Sequence, residues 1–209
     1  MGEHPVPGGR NFLIPLNKWV ENARPQRRGK QRNIAFTPWE VLFPKPNPDE
    51  TMRLTTAADS ISYWWENEYG VEHVLSPDPA TITTLRYLPR AICLRAEEDT
   101  SDIDLSIAIM AALKAGCDIR LSTATLRQWM TRSLEGLGIM IIPESRLDFL
   151  KRLPTMAAEG IPVRDTAATD EDMAVAAACG LQINRAPVVG NGRIELLHCL
   201  REQYTTVKR

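Results

Sequence analysis

The chain has 209 residues, a formal net charge of −1, 44% hydrophobic residues and 24% charged residues. This is the composition of an ordinary globular protein, long enough to bury roughly 70% of its extended surface. The near-neutral balance provides no global field toward nucleic acid or a membrane, and no apolar run approaches the roughly 18 residues of a bilayer span.

The opening MGEHPVPGGR lacks the apolar core of a signal peptide and the Ser or Thr at position 6 of a myristoylation signal. Residues 1–58 hold eight of the chain's 15 prolines, from Pro5 to Pro48, with glycines between them. Proline fixes φ and removes an amide donor, so long helices and central strands are not expected there. Short apolar patches such as Phe12-Leu13-Ile14 and Trp39 to Phe43 lie between. The expectation is an extended arm that packs on something else. Within it, Arg24 to Arg32 carries a strong basic bias, but no aromatic residue interleaves for base stacking, so a solvated loop is the expected state.

Residues 57–69 have helical spacing, with Asp59 or Ser60 as the cap and Ile61, Trp64 and Trp65 on one face. This helix and the proline-containing loop after it form a second unit, 59–85. From residue 86 the pattern becomes regular. Ala91 to Ala96 reads as a strand, and Ser101 caps a helix that Gly116 stops. Asp118 to Ser122 is a second strand. Leu126, Trp129, Met130 and Leu134 share a helical stripe. Ile139 to Ile142 is a third strand, followed by Pro143 at an expected first helical position. Ile161 to Arg164 is a fourth strand. Thr169 and Asp172 form a capping-box pattern. Leu181 to Ile183 and Ala186 to Val189 are further strand candidates, and Arg193 to Gln203 reads as the last helix.

Strands alternating with helices predict an α/β fold: a Rossmann-like, mostly parallel sheet with helices on both faces over 86–209, preceded by the proline-rich arm. A dinucleotide site would need G-x-G-x-x-G after the first strand. Glu97, Glu98, Asp99 and Asp102 stand there instead, where negative charge opposes a phosphate. Gly190, Asn191 and Gly192 are the remaining candidate cofactor-binding residues. They follow an apolar run and precede a helix, but Glu195 stands at the third glycine position. The bend reads first as a tight turn in which Gly or Asn supplies φ > 0, and alternatively as a phosphate cradle.

No Walker loop, Gly-x-Ser-x-Gly or His-Glu-x-x-His occurs, and His4, His73 and His198 have no catalytic partner at motif spacing. No catalytic residue and no metal ligand is therefore assigned. Cys93, Cys117, Cys179 and Cys199 are widely spaced and read as small buried hydrophobes of a reducing cytoplasm.

Three stretches carry a resemblance: AADSISYWWENEYGVEH (57–73), TLRYLPRAICLRA (84–96) and VVGNGRIELLHCLREQ (188–203). Together they resemble the C-terminal region of bacterial bifunctional proline-catabolic enzymes of the proline utilisation A type, which join proline dehydrogenase to an L-glutamate γ-semialdehyde (1-pyrroline-5-carboxylate) dehydrogenase. The most specific parts are the Trp64-Trp65 helix, Leu85-Arg86-Tyr87, and Asn191-Gly192-Arg193 with Leu200 to Gln203. Gly8 to Leu13 is similar to the tail of an aldehyde dehydrogenase catalytic unit, with Arg10 standing where proline is usual.

The resemblance implies a cytoplasmic, non-catalytic Rossmann-like domain that packs on aldehyde dehydrogenase and proline dehydrogenase modules, helps close a substrate tunnel, or supports a homo-oligomer. NAD would belong to the parent enzyme, and no cofactor is expected in this chain. The chain reads as a C-terminal fragment or a separately encoded piece of such an enzyme. Two alternatives stay open: a stand-alone NAD(P)-binding aldehyde oxidoreductase using Gly190 to Gly192, and a nucleic-acid-associated module using residues 24–32.

Overall fold

The computed structural model describes residues 46–75 and 80–208. Residues 1–45 of the proline-rich arm, with its basic run 24–32 and the segment Gly8 to Leu13, lie outside them.

The first helix, α1, spans Pro48–Trp64 and continues as a π-helical turn over Trp65–Tyr69. It begins about ten residues before the expected start. Asn47 and Glu50 form a capping box, each side chain bonding the other's backbone amide, at 2.9 and 2.8 Å. Pro48 therefore opens the helix; its missing amide falls where no helical partner exists.

Two sheets follow. The first is antiparallel, in the order β1 (His73–Val74), β2 (Thr81–Pro89), β8 (Leu200–Lys208). The second has five parallel strands: β3 (Ile92–Ala96), β4 (Ile119–Thr123), β5 (Met140–Pro143), β6 (Val163–Arg164) and β7 (Ile183–Asn184), in the spatial order β5-β4-β3-β6-β7. This is a Rossmann-like sheet. The chain steps outward from β3 through β4 to β5, then returns to the other side of β3 for β6 and β7.

The connecting helices are α2 (Asp102–Ala115), α3 (Gln128–Leu134), α4 (Arg146–Glu159), α5 (Asp170–Ala178) and α6 (Gly192–Cys199). Side-chain alternation along β3 sorts them into two layers. Ile92, Leu94 and Ala96 join a core with α1, α2, α3 and α6. Cys93 joins a second core with Phe149, Leu153 and Met156 of α4 and Ala176 of α5. Helix α2 is buried on nearly every side and contains Ile107, Ile109, Met110 and four alanines inside that core. It ends as expected, with Gly116 in the left-handed region at φ 79°.

The chain end departs from expectation. The last helix stops at Cys199, and residues 200–208 form a nine-residue strand paired with Thr81–Pro89. Leu85 to Tyr87 lies in the antiparallel ribbon, and Tyr87 packs edge-on against Tyr69 at 4.8 Å. The run 186–189 forms no strand and leads directly into α6. Pro143 closes β5 rather than opening a helix; Ser145 caps α4.

Candidate functional site

In an open parallel sheet, ligands bind outside the carboxyl ends of the strands, where the strand order reverses. Here that point lies between β3 and β6. The residues it brings together are Arg95 and Glu97 from the end of β3, Arg164 and Asp165 from the end of β6, Arg146 from the start of α4, and Asp172 from the start of α5.

All of them except Arg164 form one network. Glu97 accepts from Arg95 Nε at 2.7 Å and from Arg146 Nη1 at 2.9 Å. Arg146 also bonds the carboxylates of Asp165 and Asp172. Arg95 donates from Nη1 to Ser122 Oγ at 2.8 Å and to the Glu144 carbonyl at 3.1 Å. Both guanidinium groups lie over the Phe149 ring, 5.0 Å and 5.5 Å from its centre.

The electrostatics follow from this geometry. Burial would disfavour the charged form of Arg146, but Asp172, Asp165 and Glu97 outweigh it and hold the guanidinium charged. Burial pushes Asp172 up, and Arg146 with the Thr169 backbone and hydroxyl pulls it back to about 2. Glu97 is likewise lowered, its burial outweighed by Arg95 and Arg146, whereas burial wins at Asp165 and raises it. Two arginines, Arg95 and Arg146, face three carboxylates.

The loop after β3 is tied down in the same way. Arg127 Nη2 takes the carbonyls of Glu97 and Glu98 at 2.9 and 3.2 Å, and its Nη1 bonds Asp102. The first turn of α2 thus presents Asp102 and Asp104, where a pyrophosphate would need free amides. Beside it a small cavity of about 20 Å³ is lined by Leu94, Thr100, Asp104, Leu105, Arg164 and Val188. That lies below the roughly 300–1,000 Å³ of typical ligand pockets. The residues at this crevice do not fit a dinucleotide.

The Gly190-Asn191-Gly192 bend lies against α1. The Gly192 amide donates to Ser60 Oγ at 2.9 Å, and a Cβ at Gly192 would sit 2.3 Å from the Ile61 backbone nitrogen. Asn191 caps α6 by accepting from the Arg193 amide at 3.0 Å. Neither glycine has positive φ, contrary to the expectation of a turn that needs one. Gly192 is required for close approach of two helices, and Gly190 faces open space.

Glu195 points inward rather than toward solvent. It is fully buried, pairs through both oxygens with Arg164, and accepts the Val189 amide at 2.9 Å. Sequence spacing identified Glu195 as an obstacle at a glycine position, but its partner lies 31 residues away on another element.

The same helix pairing joins two of the stretches that carry the resemblance. Arg193 lies over the Trp64 ring at 4.9 Å and pairs with buried Glu68 at 3.0 Å. Tyr69 OH donates to the Arg193 carbonyl at 3.1 Å.

His73 is buried, its Nε2 2.8 Å from the Glu68 carbonyl. His198 receives the Asn184 side-chain amide on Nδ1 at 2.6 Å; the Ala186 amide fixes that orientation by donating to Asn184 Oδ1. Burial, then the charges of Arg164 and Arg90, lower His198 from its ordinary 6.5 to about 4. The unfolded chain takes up this proton below pH 6.5, whereas the folded one does so only near pH 4. Stability should therefore be full above pH 6.5 and fall by ~3 kcal/mol as the pH drops to 4. Urea titrations across this range should show that slope in the native chain and a shallower one in His198→Gln.

Among the described residues no group of three or more His, Cys, Asp and Glu is arranged to hold a metal, and no helix is long and apolar enough to cross a membrane.

No family model matches this chain, and no curated protein does. Solved structures do. Proline Utilization A from Corynebacterium freiburgense is 18% identical, over 80% of this chain and 15% of that one, with a TM-score of 0.39. A double mutant of betaine aldehyde dehydrogenase from Staphylococcus aureus is 14% identical, over 69% and 32%, with a TM-score of 0.46. An aldehyde dehydrogenase from Brucella melitensis is 15% identical, over 63% and 30%, with a TM-score of 0.47. The chain spans between 15% and 32% of the length of these three structures.

Proposed function

We propose that this chain is a non-catalytic, aldehyde-dehydrogenase-like Rossmann domain that serves a proline-catabolic dehydrogenase by packing, tunnel closure or support of an oligomer. The sequence resemblance supplies the family, through the Trp64-Trp65 helix and the Asn191 to Gln203 ending. The observation that carries the non-catalytic part is the ion-pair network of Arg95, Glu97, Arg146, Asp165 and Asp172 across the switch point of the sheet. A dinucleotide there would have to displace buried, mutually paired charges. Removing one partner of such a set leaves another uncompensated.

The partners in this reading are the aldehyde dehydrogenase and proline dehydrogenase modules of the parent enzyme. Cytoplasmic location follows from the same reading.

Calorimetric titration with NAD tests the proposal. No saturable heat is expected up to millimolar coenzyme, and Gly190→Ala, which meets open space, should behave as the native chain does. Saturable binding abolished by Gly190→Ala would favour a phosphate cradle at that bend and overturn the reading.

A further inference from the structure

Two of the four cysteines meet where the two sheets join. Cys117 follows α2 and precedes β4; Cys199 is the last residue of α6, immediately before the ribbon strand β8. They are 82 residues apart in sequence, yet Cys117 Sγ donates to the Cys199 carbonyl at 3.2 Å. The sulfhydryls are also near enough to affect each other's acidity. Arg90, in the short link from β2 to β3, completes the junction: its Nη2 donates to the His198 carbonyl at 2.9 Å.

The two thiols differ in access and in acidity. Cys117 is partly exposed and Cys199 is buried. The Cys199 sulfhydryl, then the Arg90 amide and charge, favour the Cys117 thiolate over its burial and over nearby Asp118. Cys199 is held protonated by Cys117 and by burial. One thiol is thus reachable and easier to ionise, and the other waits beside it. Cys93, by contrast, is fully buried and pushed up to about 11 by that burial. Cys179 donates its thiol to the Ala176 carbonyl within its own helix end.

We propose that Cys117 and Cys199 are a reversible oxidation site, forming an intramolecular disulfide that locks the β2–β8 ribbon onto the parallel-sheet layer. The oxidant class is a low-molecular-weight disulfide such as oxidised glutathione. The Cys117 thiolate attacks one sulfur of that disulfide, forming a mixed disulfide and releasing one thiolate. The Cys199 sulfur then attacks Cys117 Sγ, its proton passes to the second departing thiolate, and the protein disulfide closes. Two protein thiols are oxidised and one small disulfide is reduced to two thiols. The bond would tie the α2–β4 turn to the exact residue at which the chain leaves α6 for the ribbon.

The test incubates the full chain with oxidised glutathione, blocks remaining thiols, and maps peptides without reduction. The expected product is a Cys117–Cys199 linked pair that reduced glutathione reverses. Cys93 and Cys179 should be recovered alkylated. Closing a loop of this length should raise the melting temperature by about 5–10 °C. Cys117→Ser should abolish both the link and the rise. Glutathione retained on Cys117 without a link, a bond between any other pair in comparable yield, or no oxidation would each overturn the proposal. The map of the native chain decides it even if the variant folds poorly.

Discussion

Replacing Arg164 by Met should destabilise the protein by about 3–5 kcal/mol, the usual consequence of leaving a buried partner charge uncompensated. Glu195 has no exposed surface and Arg164 has 5%. Without the guanidinium, the Glu195 carboxylate keeps only the Val189 amide. Arg164 gains less than its two bonds suggest, because its Nε has no partner of its own. Adding Glu195→Gln to Arg164→Met should recover a large part of the loss. The amide oxygen still accepts from Val189 while the stranded charge is gone. Urea unfolding of the two single variants and the double variant closes the cycle. A coupling below about 1 kcal/mol would mean that this pair does not hold α6 to the sheet. The pair matters to the functional reading because it stands where a dinucleotide fold keeps a glycine.

Gly192→Ala should cost about 3 kcal/mol or more. The new methyl would lie 2.3 and 2.4 Å from backbone atoms of Ile61, and backbone of a packed helix cannot step aside as a side-chain tip can. Separating α6 from α1 would also stretch the Ser60 bond to the Gly192 amide and the Arg193 contacts with Trp64 and Glu68. For a domain of this size, that corresponds to a fall of about 6–12 °C in melting temperature. Gly190→Ala should stay within about 0.5 kcal/mol of the native chain, since nothing lies within 4 Å of its added Cβ. Thermal melts of both variants distinguish a packing glycine from a turn glycine. Equal effects at the two positions would sink the assignment.

Much of the fold is legible because its signals are local. Ser101 before Asp104, Gly116 after Ala115, and Thr169 with Asp172 each act within a few residues, and each appears in the structure as read. The start of α1 was local too, but the prolines hid it. Asn47-Pro48-Asp49-Glu50 is a capping box with proline at the first helical position, and proline there begins a helix instead of breaking one. The end of α6 was not legible. Residues 193–203 have helical spacing, yet Leu200 to Lys208 pair with Thr81 to Pro89, more than 110 residues earlier. Tertiary pairing overrode the local pattern.

At the candidate site, the residue types were readable and the partners were not. Glu97 and Glu195 are visible as acids at the wrong places for a phosphate, and Asp172 as part of a helix cap. Nothing in their spacing names Arg146 as the cation shared by Glu97, Asp172 and Asp165, or Arg164 as the mate of Glu195.

By itself, the order of residues determined the alternation of strands and helices, most helix ends, and the acidic character of the loop after β3. These depend on hydrogen bonds and periodicities that close within one or two turns of chain. Only the folded structure decided the strand order, the ribbon built from the chain end, the close approach at Gly192, and the meeting of Cys117 with Cys199. Those contacts join residues from tens to more than a hundred positions apart. Their energy comes from burial and pairing that no short window of sequence contains.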